Sequence, residues 1–199
     1  MRLKAFAFLC VLLTGCSSMN VRDFEKMTPE FRPEDYFLGE TTAWGLFEDR
    51  FGQVRRQFQV VVTGAMDGNT LVLDEDFSYS DGEKERRIWR LTRKADGRYE
   101  GFADGVVGSA RGEAQGNAFN WKYTFDLNVG DGKTWRVKFD DWMFLQPNGV
   151  LINRAWVSRW GFEIGSVTLF FSKNTAKIDA SAPEIRRVPY LSALTANRG

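Results

Sequence analysis

Histidine is absent from all 199 residues, and the two cysteines, Cys10 and Cys16, both lie at the amino-terminal end. Without an imidazole the chain cannot build a Ser-His-Asp or Cys-His nucleophile, or a His-ligated zinc or haem. Beyond Cys16 there is no thiol to act as nucleophile or to form a disulfide, so the core alone must hold the fold. No Gly-rich phosphate loop joins a strand to a helix. Chemistry on this chain would rest on Asp, Glu, Lys, Tyr or Arg. An enzyme is therefore the weaker expectation, and the sequence points to no catalytic residue, metal or cofactor. An excess of one charge is also missing: 27 Lys and Arg stand against 26 Asp and Glu. That balance argues against nucleic acid as a partner and supplies no broad basic surface.

Long apolar runs are scarce too. Arg2 and Lys4 precede the apolar stretch Ala5 to Leu13, which is too short to span a bilayer and has the layout of a secretory signal. Leu13-Thr14-Gly15-Cys16 then resembles a bacterial lipobox at every position. The plainer reading is a generic signal peptide with a coincidental cysteine. The resemblance implies cleavage before Cys16, a diacylglyceryl group on its sulfur and an acylated amino terminus, and several acyl chains make such anchoring durable. Ser17 after the cysteine, in place of Asp, implies sorting to the outer membrane with the domain facing the periplasm. The expected layout is a signal peptide over 1–15, lipidated Cys16 and a loosely packed tether over 16–35, one β domain over 36–173, and a polar tail over 174–199.

From Tyr36 onward, turn signals recur about every 15 residues, among them Asp67-Gly68-Asn69, Asp81-Gly82, Asp96-Gly97 and Pro147-Asn148-Gly149. Between them lie runs rich in Val, Phe, Trp, Tyr and Thr, with no amphipathic helix of useful length. The clearest alternation sets Phe119, Trp121, Tyr123, Phe125 and Leu127 on one face and Asn120, Lys122, Thr124 and Asp126 on the other. About ten strands are expected, near 37–47, 53–65, 70–79, 84–93, 98–105, 109–115, 118–128, 134–145, 150–159 and 163–172. Sequential hairpins without a long crossover predict an all-β, up-and-down antiparallel barrel or a curled half-barrel, in preference to a sandwich.

The stretches FLGETTAWGLFEDRFG (37–52), LDEDFSYSDGEKERRIWRL (73–91), GNAFNWKYTF (116–125), DDWMF (140–144) and NRAWVSRWGFEIGSVTLFF (153–171) resemble an uncharacterised family of Gram-negative lipoproteins, classed as a domain of unknown function. DDWM with the later NR is the most specific part, and the likeness covers most of the mature chain. It implies an envelope lipoprotein with a tilt toward a lipid-related role, since family members are often encoded near enzymes that modify fatty-acyl chains. In architecture the chain is also similar to the calycin barrels, the lipocalin and fatty-acid-binding group.

Polar residues on apolar faces supply the candidate site. A type I turn closed by a bulge at Gly149 sets Met143 opposite Asn153 and leaves Asp141 as a diagonal neighbour of Asn153 on an otherwise apolar face. A two-residue loop would instead set Asp141 opposite Arg154 as an ion pair. In the first register Asp141 and Asn153 form either a structural pair or the polar end of a ligand site. Arg87, Trp89 and Leu91 alternate on one side of their strand, so Arg87 either belongs to a solvated charged face or reaches inward to a carboxylate or phosphate. The expected ligand-binding set is Arg87, Trp89, Trp121, Asp141, Met143 and Asn153, for a fatty-acid-like or other amphipathic molecule. On the outer face, Trp142, Trp156 and Trp160 are either covered by the tether or tail, or form a docking surface for an unknown protein partner or the membrane. That alternative describes a barrel filled by its own side chains and acting through its surface.

Overall fold

The computed structural model describes residues 19–130 and 132–173; Cys16, its signal and the tail over 174–199 lie outside them. Ten antiparallel strands follow one another as β1 (Gly39–Asp49), β2 (Val54–Asp67), β3 (Thr70–Tyr79), β4 (Lys84–Arg93), β5 (Tyr99–Phe102), β6 (Ala110–Gln115), β7 (Ala118–Asn128), β8 (Thr134–Leu145), β9 (Leu151–Arg159) and β10 (Phe162–Ser172). Each pairs with its neighbour in sequence, and β1 pairs with β10, so the sheet closes into a barrel. Closure leaves no strand edge to template aggregation.

The ten expected strands are the ten observed, with one shortened. β5 stops at Phe102, and the Gly-containing loop after it bonds to β7 instead. The Val107 N–H donates to the Thr124 carbonyl, and the Asp126 N–H to the Gly105 carbonyl. A Cβ on Gly105 would enter the Phe125 ring, so the loop can lie this close only without a side chain.

The segment expected to be a loose tether is packed. A 3₁₀ turn, Val21–Phe24, is closed by a capping box between Asn20 and Asp23. A single helical turn, α1 (Pro33–Tyr36), follows with proline at its first position. Phe31, 1% exposed, meets Tyr36, Phe37 and Phe119 edge to face. The Tyr36 hydroxyl donates to the carbonyls of Gly149 and Phe171, and the Tyr99 hydroxyl to Glu34. The Phe37 carbonyl rests on Gly64 and the Phe24 carbonyl on Gly116, where an added Cβ would lie 1.9 Å and 1.8 Å away. These contacts close one end of the barrel, the base. Burying a phenylalanine of this kind stabilises by about 1.5–3 kcal/mol, which accounts for the order of a segment with no repeating pattern.

Candidate functional site

Interior directions follow from contacts between strands that are not neighbours. The Arg87 guanidinium on β4 lies 4.8 Å over the Phe125 ring of β7 and 5.1 Å from Phe77 of β3. Trp89 on β4 meets Tyr123 and Trp121 of β7 edge to face at 5.2 and 5.8 Å. Toward the base, Trp121, Phe119, Tyr99 and Phe31 fill the space with rings. In the other half a second buried apolar cluster, Phe125, Val137 and Val157, sits beside polar or half-buried inward side chains, among them Glu75, Tyr79, Glu85, Arg87, Tyr123 and Phe139.

The polar group is built by the ladders. β3–β4 pairing sets Glu75 opposite Arg87. Two residues along β4, Glu85 accepts from Arg87 at 2.5 Å and from the Tyr79 hydroxyl at 2.8 Å. On the facing wall, β7–β8 pairing sets Tyr123 opposite Phe139 and diagonal to Asp141. The Tyr123 hydroxyl points to Asp141 Oδ2 at 3.4 Å, a long hydrogen bond. Asp141 is 7% exposed, and its Oδ1 has no hydrogen-bond partner among the described residues.

Burial pushes the Asp141 carboxyl up to about 8; the Tyr123 hydrogen bond opposes this, while the charges of Asp140 and Glu75 add to it. Burial likewise pushes Glu75 up to about 7, against the pull of Arg87 and with help from Glu85 and Asp74. For Arg87, burial works against the charge, but Glu75 and Glu85 outweigh it and hold the guanidinium protonated. Tyr123 is raised well above the usual phenol range, first by burial and then by the Asp141 charge. At neutral pH the cluster therefore offers a protonated Asp141, able to donate and accept, and one cation already flanked by acids.

The structure brings Arg87, Trp89, Trp121 and Asp141 to the interior, which is the inward of the two readings left open for Arg87. The register is the one closed by Gly149, with Leu145 opposite Leu151 and Met143 opposite Asn153. Asn153 is 3% exposed, and its amide donates to the Trp142 carbonyl, which fits a structural role. Met143 packs against the base cluster of rings. Sequence reasoning missed Glu75 and Tyr123 as site members. The signal was present: Glu75 shares parity with Leu71, Leu73 and Phe77, and Tyr123 lies between Trp121 and Phe125 on the same face.

With the fold and cluster in place, comparison with known proteins is informative. Residues 10–173 match the family described as "Protein of unknown function (DUF3833)". The chain belongs to this family. No curated protein matches it. Among solved structures, the S-type phycobiliprotein lyase CPES from Guillardia theta is similar, with a TM-score of 0.52 and 7% sequence identity. The match covers 69% of this chain and 88% of the lyase. The lyase is lipocalin-like, so the calycin-like architecture expected from the meander is the observed one. At that identity the likeness carries the fold alone.

Of the two readings of the outer tryptophans, cover by the lead-in holds for Trp142, which is thereby removed from a docking surface. Trp142 is 4% exposed, because Val21 and Phe24 of the 3₁₀ turn lie over it, with Phe24 6.0 Å from its ring. Trp156 is half-buried beside the same cluster. Trp160 alone of the three is open, at 82%. The reason is local: an apolar outer face next to an amphipathic lead-in buries itself on that lead-in. A groove remains alongside, bounded by Met19, Lys122, Asp140, Trp142 and Trp156 on the outside of the barrel.

Proposed function

We propose that this protein is an outer-membrane-anchored lipoprotein whose periplasmic barrel holds an amphipathic small molecule. The observation that carries the ligand is Asp141: a buried carboxyl with a free oxygen, set among aromatic rings beside Arg87 and Glu75. An unpaired buried carboxyl oxygen costs about 1–3 kcal/mol, and a ligand group that bonds it recovers that cost. The lipocalin-like fold supports small-molecule binding in general terms, and the Leu13-Thr14-Gly15-Cys16 motif supports the anchor.

The charge balance narrows the head group. Three carboxyls, Glu75, Glu85 and Asp141, surround one arginine, and Arg87 already pairs with Glu85. A fatty-acid carboxylate would have to displace an acid from Arg87. A hydroxyl, amide or amine head group meets Glu75 and Glu85 as hydrogen-bond acceptors and the protonated Asp141 as donor or acceptor, and needs no displacement. The cargo that fits is therefore a long apolar molecule ending in hydrogen-bond donors. The ring-filled base favours a second reading, a barrel filled by its own side chains that acts through its surface.

Native mass spectrometry of the full chain released from mild detergent tests this, with organic extracts analysed for lipids. The expected result is a stoichiometric amphipath carrying hydroxyl, amide or amine groups, lost on Asp141→Leu in a protein that keeps its β circular dichroism. A clean apo mass that takes up neither fatty alcohols, fatty amines nor fatty acids would overturn the carrier reading and favour the filled barrel.

A further inference from the structure

The end of the barrel opposite the base carries an arc of exposed aromatic side chains on adjacent hairpins. β9 and β10 are joined by the two-residue loop Trp160-Gly161, with Arg159 paired to Phe162. Both loop residues have positive φ, 53° and 85°, which is the type I′ geometry. That geometry favours Asn, Asp or Gly at its first position and is strained for a bulky side chain. Yet the position holds a tryptophan that is 82% exposed and packs on no core cluster. Phe162 next to it and Phe51 on the β1–β2 turn are each 73% exposed. The Arg50 N–H donates to the Ile164 carbonyl, so the two turns are laced side by side. Arg159 stacks on both Trp160 at 4.0 Å and Trp135 of β8 at 4.4 Å, and Arg50 stacks on Phe51 at 4.8 Å.

Core packing explains none of this arrangement: the loop would be better served by Asn, and Trp160, Phe162 and Phe51 belong to no buried apolar cluster of the described residues, while Arg159 and Arg50 stack on Trp160 and Phe51. We propose that this arc is a membrane-insertion rim that seats the end of the barrel opposite the base in the interfacial layer of a lipid bilayer. The occupant follows from the shape and chemistry. The rings stand on turn tips, which a deformable headgroup layer accepts. Trp and Phe place their apolar bodies at the acyl boundary, and guanidinium groups stacked on them reach lipid phosphates. Neither Arg50 nor Arg159 makes an ion pair among the described residues, whereas Asp49 is neutralised by Arg55. Among the described residues Glu48 and Glu163 are the further acids on these two turns, so the arc offers its two unpaired guanidinium groups to lipid phosphates on a surface without net charge. The inference stands independently of whether the interior carries cargo.

The test is depth-dependent fluorescence quenching on the full chain, returned to phosphatidylethanolamine–phosphatidylglycerol vesicles containing lipids brominated on the acyl chain. The expected result is quenching of part of the tryptophan emission, together with protection of that part from acrylamide. Trp160→Asn removes that quenched component and leaves Tm unchanged or raised, an outcome a structural tryptophan would not give. Phe51→Ser with Phe162→Ser, keeping Trp160, weakens the quenching several-fold with native circular dichroism. Three results overturn the proposal: Trp160 emission as open to acrylamide with vesicles as without, bromine quenching that survives Trp160→Asn, or protection that tracks self-association in sedimentation and needs no lipid.

Discussion

Glu75 faces Arg87 directly across the β3–β4 ladder, inside the barrel, while Arg87 bonds Glu85 of its own strand. One cation is thus shared by two acids on a wall that faces a third, Asp141, across aromatic rings. The consequences of that shortage of positive charge can be measured.

The first concerns pH. The folded barrel raises Asp141 to about 8 and Glu75 to about 7, whereas in the unfolded chain both lose their protons near pH 4. Between those limits the folded state binds more protons than the unfolded state, so stability falls as pH rises. The fall has an upper bound of about 1.4 kcal/mol per pH unit per group, with Glu75 contributing until about pH 7 and Asp141 until about pH 8. Thermal unfolding between pH 5 and pH 8 should therefore show Tm dropping with rising pH. In Asp141→Asn the segment from pH 7 to 8 flattens; a wild-type Tm that climbs across this window would contradict the assignment.

Removing the shared cation strands its acids. Arg87→Met should cost about 3 kcal/mol in urea unfolding at pH 7.5. Glu75→Gln on that background should return a substantial part of the loss, giving a coupling energy of about 1–2 kcal/mol in the double-mutant cycle. Additive effects would mean that the two side chains do not interact.

The base is sealed through glycines. Gly64→Ala would put a Cβ 1.9 Å from the Phe37 carbonyl, so α1 must lift away. The expected cost is about 2–4 kcal/mol, with Phe31→Ala costing about 3–5 kcal/mol. Limited proteolysis should then cut around Arg32 while the strands stay protected. Cleavage at the same rate in wild type would show the lead-in undocked.

Relief of strain is predicted at the opposite end. Trp160→Asn keeps the positive φ that the β9–β10 loop needs, and should raise stability by about 1 kcal/mol in denaturant melts. Trp160→Ala keeps the strain and should gain nothing.

Much of this was legible before any coordinates, for identifiable reasons. Alternation with period two put Asp141 and Trp121 on apolar faces and Arg87 beside Trp89 and Leu91, and Pro147-Asn148-Gly149 narrowed the β8–β9 register to two, of which the one closed by Gly149 at positive φ is observed. The Tyr123–Asp141 contact was not legible, because it depends on the stagger between β7 and β8, and Gly130 and Gly132 in the 129–133 connection allow more than one turn. Glu75 was hidden by its neighbours: with Asp74, Asp76 and the arginines of β4 it reads as a solvated charged face unless parity is weighed above composition. The lead-in escaped for a different reason. Phe31, Tyr36 and Phe37 anchor irregular backbone, so they carry no period to detect. The same lead-in buries Trp142, which strand parity could only mark as outward.

The end of the described chain meets the junction of lead-in and β1 at the base. Lys173 donates from its ammonium to the Leu38 carbonyl, 135 residues away, and β10 zips onto β1 just above. Wall and floor are therefore completed by the same last strand. A chain that emerges amino terminus first presents Phe31, Tyr36 and Phe37 long before the strands that receive them exist, and the entropic cost of closing so large a loop falls on the final step. Until β10 is released, the nascent molecule carries two unpaired strand edges, and Tyr36 and Phe37 lack their contacts with Phe171.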